Sequence, residues 1–244
     1  MPISFSDLLK IPVIMGFDLD QSGRFVLYSS NETGIPHLYV LATELGSKPR
    51  QITSGKDSVM AGALSPRGDK LVYPQDKDGN EIHHLFLLSA EGGEAKQITE
   101  KPYSTMGVNW HPNSKEVTRP FASMKSCGLE TINLETGECF MLKEPTLPLM
   151  GVEYSHDGKW IACTMLKSFK NMQVLIVNRD DPADTIVYSI KDDSKDVSPV
   201  WSPDDKKVAF ISDAKGRPQV VIREFQGEER IFLGLEEDEE AVGQ

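Results

Sequence analysis

Five times along this 244-residue chain one short pattern returns: a small or apolar pair, an apolar or aromatic residue, a four-residue polar turn, then a β-rich run. The first copy is Met15-Gly16, Leu19, Asp20-Gln21-Ser22-Gly23 and Arg24-Phe25-Val26-Leu27-Tyr28. The second is Met60-Ala61, Leu64, Ser65-Pro66-Arg67-Gly68 and Lys70-Leu71-Val72-Tyr73, and the third is Met106-Gly107, Trp110, His111-Pro112-Asn113-Ser114 and Glu116-Val117-Thr118. The fourth is Met150-Gly151, Tyr154, Ser155-His156-Asp157-Gly158 and Trp160-Ile161-Ala162. The fifth is Val197-Ser198, Trp201, Ser202-Pro203-Asp204-Asp205 and Lys207-Val208-Ala209-Phe210. Between the last turn positions, 23, 68, 114, 158 and 205, the steps are 45, 46, 44 and 47 residues, a register that chance does not keep.

The residues of each turn have a physical task. Serine or aspartate can bond its own backbone two residues on, proline presets φ, and glycine tolerates φ above zero, so each copy predicts a tight hairpin between two strands. A third run follows at residues 37–41, 84–88, 129–134, 173–177 and 219–222. It is too apolar to face water on both sides and reads as a buried middle strand. A fourth, more polar run closes each unit, clearest in the identical tripeptides Gln51-Ile52-Thr53 and Gln97-Ile98-Thr99. Asn31 to Gly34, Asp76 to Asn80 and Asp213 to Gly216 supply glycine-bearing turns between the second and third strands.

Units of this length with four antiparallel strands bury both sheet faces only by stacking against neighbours. The expected fold is therefore all-β: a β-propeller of five four-stranded antiparallel blades, either a closed ring or an open arc of a larger propeller. The blades fall at about 15–57, 58–104, 105–147, 148–195 and 196–235, after an amino-terminal arm or short helix over 1–14 and before an acidic tail over 236–244. The arm carries Phe5, Leu8 and Leu9. The first strand of each blade belongs at the hub, where scarce room would explain Gly16, Gly107 and Gly151, and Met15, Met60, Met106 and Met150 read as core fillers.

Charge narrows the partners. Lys and Arg total 26 against 37 Asp and Glu, a formal net charge of -11 that repels phosphate backbones and anionic membrane surfaces. No nucleic-acid or membrane partner is expected. Seven acids against Arg230 over residues 228–244 give -6 of that charge, the signature of a solvated end. Cys127, Cys139 and Cys163 match neither a disulfide framework nor a zinc signature and fit a reducing compartment. No export signal or membrane-length apolar run is present in the sequence, so a cytoplasmic location is expected.

The unit Ser65-Pro66-Arg67-Gly68-Asp69-Lys70-Leu71-Val72-Tyr73, followed by a Leu-Phe-Leu strand and the turn Gly92-Gly93-Glu94, resembles the TolB-like propeller repeat over residues 15–235. Residues 5–12, residues 33–39 and the stretch Asp76-Lys77-Asp78-Gly79-Asn80-Glu81 resemble the amino-terminal propeller of acylaminoacyl-peptidases in the prolyl oligopeptidase family. That resemblance implies a propeller that caps an α/β-hydrolase and restricts entry to short peptides. The hydrolase itself needs a G-x-S-x-G elbow, and no two glycines here lie four apart.

Other candidates are weaker. Ser155-His156-Asp157 has the residue types of a catalytic triad, but adjacent positions in a tight turn cannot supply its geometry. His83 and His84 would point to opposite faces of a strand, so one metal ion cannot readily take both. Arg119-Pro120 stands where other units place Tyr28, Tyr73 and Phe210. It predicts a short, bent or ligand-facing strand, with a degenerate blade as the simpler explanation. No catalytic, cofactor-binding or metal-binding residue is assigned, and no cofactor is expected.

Three functions compete. The first is a non-catalytic propeller module, truncated or split from its hydrolase half, that gates and docks a peptide or protein. Its partners include a separately encoded hydrolase half or a second copy of the chain. Ala241-Val242-Gly243-Gln244, standing where a sixth unit's first strand would begin, agrees with that expectation. The second is a stand-alone TolB-like interaction scaffold. The third is a small propeller hydrolase acting on sugars or lactones, which would have to use hub acids such as Asp18, Asp20 and Glu153.

Overall fold

A computed structural model describes residues 11–101, 103–105, 107–143, 147–228 and 230–233. Most of the amino-terminal arm, Met106 and the acidic tail lie outside the described residues. Among those described, every regular element is a β-strand. The strands form five antiparallel sheets, each a meander in chain order, as the fivefold repeat requires.

The chain divides into two compact units, residues 1–146 and 147–244. The first unit holds three sheets. One joins β1 (Ile14–Leu19), β2 (Phe25–Ser30), β3 (His37–Ala42) and β4 (Arg50–Gln51). The next joins β5 (Ala63–Leu64), β6 (Lys70–Gln75), β7 (His84–Ser89) and β8 (Lys96–Gln97). The third joins β10 (Asn109–Trp110), β11 (Glu116–Ala122), β12 (Cys127–Asn133) and β13 (Cys139–Lys143), with the short β9 (Ser104–Thr105) added beside β11. The second unit holds β14 (Leu149–Tyr154), β15 (Trp160–Ser168), β16 (Asn171–Asn178) and β17 (Thr185–Tyr188) in one sheet. Its other sheet is β18 (Asp196–Trp201), β19 (Lys207–Ser212), β20 (Gln219–Glu224) and β21 (Arg230–Leu233).

The polar turn is built the same way all five times. The amide of its first residue donates to the carbonyl five residues on: Asp20 to Phe25, Ser65 to Lys70, His111 to Glu116, Ser155 to Trp160 and Ser202 to Lys207. The amide of the last turn residue returns to the first residue's carbonyl at 2.8–2.9 Å in every copy. That return requires a left-handed residue at the last position, where φ is 68° at Gly23, 72° at Gly68, 61° at Ser114, 75° at Gly158 and 56° at Asp205.

Blades lock together through apolar faces and through one recurrent bond. In the first unit, Leu27, Leu38 and Val40 meet Leu64, Leu71 and Tyr73, while Val72 and Leu85 meet Trp110, Val117 and Ile132. In the second, Val174, Ile176 and Tyr188 meet Trp201, Val208 and Phe210. Full burial of each such side chain contributes about 1.5–3 kcal/mol. The aromatic residue before the turn adds direction, because the Trp110 indole donates to the carbonyl of Ala63 at 2.9 Å and the Trp201 indole to that of Glu153 at 3.2 Å.

The innermost strands correct two expectations. Met15 and Met60 are half exposed rather than core fillers. Met15 lies at a register shift in β1, after which the exposed Phe17 and Leu19 share a strand face opposite Asp18, whose carboxylate meets the second sheet. At Gly151 it is conformation rather than lack of room that asks for glycine. Gly151 has φ of 65° with open space where a side chain would stand, at a register shift in β14. Ser198 takes the equivalent place in β18 at φ 56°.

Candidate functional site

The repeat defines a core pair in each blade: the residue five beyond the last turn position and its neighbour across the ladder. These pairs are Tyr28 with Tyr39, Tyr73 with Phe86, Cys163 with Leu175 and Phe210 with Val221. In the third blade the pair is Arg119 with Glu130. Both side chains are buried, at 0% and 2% exposure. The Arg119 Nε and Nη2 atoms donate to Glu130 Oε2 at 3.0 and 2.7 Å, and Nη1 donates to Thr105 Oγ1 at 3.2 Å. Lys101 Nζ reaches the other carboxylate oxygen, Oε1, at 3.1 Å. Stripping water from two ions costs several kcal/mol each, to order of magnitude, so an ion pair in place of an apolar pair adds little stability.

This pair corrects the degenerate-blade expectation. β11 is seven residues long and pairs with β12 along its whole length. Pro120 fits because β10 ends its pairing at Thr118 and β9 begins at Phe121, leaving a gap on that side of the strand. Arg119 also stacks near Tyr103, 5.5 Å from the ring centroid, and Tyr103 stacks on Phe121 at 4.3 Å.

The ion cluster forms the polar end of a cavity of about 410 Å³ within the first unit. Its apolar wall is Leu87, Ile98, Ile132 and Leu134, and three of these, Leu87, Ile98 and Leu134, are only partly buried. Lys101, half exposed, and Cys139 also line it. The hydrogen bond to Glu130, and then its charge, hold the Lys101 ammonium above its ordinary pKa. Burial, and then the same carboxylate, push the Cys139 thiol up.

Glu130 and Lys101 escaped the sequence reading. The signal available was a single charge inside the otherwise uncharged run 129–134, opposite the anomalous Arg119.

The other candidates are spent on structure. Ser155 Oγ donates to Asp157 at 2.7 Å and accepts the Trp160 amide, while the His156 ring turns to Asp205 at 2.9 Å, so the three do not form a relay. His84 bonds the Thr99 carbonyl at 3.1 Å. Asp18 accepts the Leu64 amide of the next blade at 2.7 Å and the Leu19 amide at 2.8 Å. Asp20 closes its own turn by accepting the Phe25 amide at 2.7 Å. Glu153 contributes its carbonyl to Trp201. Among the described residues no group of three or more His, Cys, Asp or Glu side chains is placed to hold a metal ion. Among the same residues no helix is long and apolar enough to cross a membrane.

No protein-family model matches the chain. In sequence it is 28% identical over 153 residues to the "Uncharacterized peptidase YuxL" of Bacillus subtilis (strain 168), a match over 60% of this chain and 20% of that protein. It is also 28% identical over 104 residues to the "Uncharacterized protein YidR" of Escherichia coli (strain K12), covering 40% of this chain and 23% of that one. These alignments thus take in less than a quarter of either relative's length. In structure, putative TolB from Agrobacterium tumefaciens superposes with a TM-score of 0.72 at 22% identity, over 91% of this chain and 80% of that chain. A prolyl endopeptidase superposes at 0.70 with 14% identity, over 91% of this chain and 36% of that one. An oligogalacturonate lyase in complex with manganese gives 0.67 at 16% identity, over 88% and 63%. Five repeated four-stranded blades and this pattern of likeness give the chain a β-propeller fold, an architecture it shares with TolB and with part of a prolyl endopeptidase.

Proposed function

We propose that this chain is the propeller module of a prolyl oligopeptidase-type peptidase: it docks and gates short peptides and leaves bond cleavage to an α/β-hydrolase half. The observation that carries this reading is the 153-residue similarity to a peptidase, joined to a sequence without a G-x-S-x-G elbow. The test is fluorescence polarisation with a panel of short amino-blocked peptides, followed by mass spectrometry of the same mixtures. Saturable binding with every peptide intact is the expected result. Cleavage of any peptide, or no binding across the panel, would overturn it.

A second reading, a stand-alone TolB-like scaffold that recruits proteins through its loops, is favoured by one observation. The chain covers 80% of the TolB chain but 36% of the prolyl endopeptidase. Sizing at rising concentration separates the two. A concentration-independent monomer supports the scaffold, and dimers, or a complex with a hydrolase partner, support the peptidase module.

A further inference from the structure

We propose that the cavity between the second and third blades binds a compact apolar group carrying a carboxylate, either a free organic acid or the carboxy-terminus of a peptide. The inference stands apart from the reading of the whole chain as a peptidase module, because it rests on a site away from the turns and hub strands. Four features carry it. The cavity, at about 410 Å³, falls in the size range of small-molecule sites, about 300–1,000 Å³. One wall is aliphatic and wet, since Leu87, Ile98 and Leu134 belong to a core cluster yet remain partly exposed. The charged lining comprises Lys96, Lys101 and Arg119 against Glu100 and Glu130, one net positive charge in a chain whose formal charge is -11. The ion cluster, last, is organised to present that charge outward: Glu130 is held by Arg119 from below and spends its second oxygen on one of the three ammonium donors of Lys101. The half-exposed Lys101 ammonium has two further donors, and its side chain lines the cavity together with the apolar residues. That combination suits an amphipathic anion, with the carboxylate on Lys101 and the apolar body on the aliphatic wall. Displacing water from such a wall favours the ligand only if its charged end is met, which an amide cannot do equally at an ammonium.

Cys139 lines the same cavity and reports on it without any added label. Iodoacetamide alkylation of the intact chain, quantified peptide by peptide, gives its rate. Cys127, half buried and not a lining residue, serves as the internal comparator, and the buried Cys163 serves as the unreactive one. Phenylbutyrate at ten times its dissociation constant is expected to slow Cys139 alkylation about tenfold while leaving the Cys127 rate unchanged. Phenylbutyramide is expected to have no effect. Acetyl-Leu-Leu with a free carboxylate against the same peptide amidated decides whether the natural source is a peptide end or a free acid. Lys101→Met is expected to slow basal Cys139 alkylation, because the ammonium works to lower the thiol's pKa, and to abolish the difference between acid and amide in protection. Protection by acid and amide alike, or by neither, would overturn the proposal, and this comparison on the wild-type chain stands whether or not the variant folds.

Discussion

Ser114 and Asp205 occupy the last position of the repeated turn, where three other blades have glycine, and both hold a left-handed φ that costs a side chain about 1–2 kcal/mol. They differ in what they receive for it. Asp205 accepts the amides of His156 and Asp157 at 2.8 and 2.9 Å, joining the turns of two consecutive blades. Ser114→Gly should therefore stabilise the protein by about 1 kcal/mol in urea denaturation, whereas Asp205→Gly should give no gain. Equal gains from both would refute this account. Asp18 supplies a pH test. Burial raises its pKa above the ordinary 3.8, although the amides of Leu64 and Leu19 work against that shift. The native state then holds the proton more tightly than the unfolded chain, so the contribution to stability is fullest below 3.8 and is lost as pH rises through the folded value. Asp18→Asn removes this titration, so the stability of wild type relative to the variant should rise as pH falls through the folded value. Asn109, at the equivalent place in the third blade, already accepts the following amide through its side chain at 2.7 Å. Melting temperatures of the variant that track wild type at every pH would contradict the assignment.

At the scale of strands and blades, the identical tripeptides act as identical clips. Thr53 and Thr99 accept the amides of Leu38 and Leu85, both at 2.9 Å, while the amides of Ile52 and Ile98 return to the carbonyls of Leu38 and Leu85 at 2.8 Å. Thr99→Val keeps the shape and strands a buried amide, an expected loss of about 1–3 kcal/mol in chemical denaturation. An unchanged midpoint would show that the clip is dispensable. The third blade's core pair gives a sharper contrast. Arg119→Met alone should cost about 3–5 kcal/mol by leaving Glu130 buried with its main partner gone, and Arg119→Met with Glu130→Leu should recover most of that loss or exceed wild type. A double variant as damaged as the single would mean that the ion pair is itself a major source of stability. These elements also mark where the sequence was readable. Turns, middle strands and clips were legible because they repeat, and repetition removes the ambiguity of any single short run. Arg119 was noticed as an exception, but its meaning depends on Glu130, eleven positions away, which only the β11–β12 register brings opposite. The exposure of Met15 and Met60 was illegible for a related reason, since an apolar residue on or just before a short edge strand does not declare which face has a neighbour.

For the whole molecule, five copies of one meander account for nearly all of the described chain, and each closes its polar turn with the same pair of backbone hydrogen bonds. The side chains of Ser155, His156, Asp157, Asp18 and Asp20, whose residue types could suggest hydrolysis, are engaged in those turns or in ties between blades. On the proposed reading, this propeller receives a ligand or partner and nucleophilic chemistry belongs to a hydrolase. The sharpest test is exposure of the purified chain to a fluorophosphonate probe beside a serine hydrolase control. The prediction is no labelled serine on this chain under conditions that saturate the control. A covalently labelled serine, located by mass spectrometry and lost on denaturation before labelling, would contradict it.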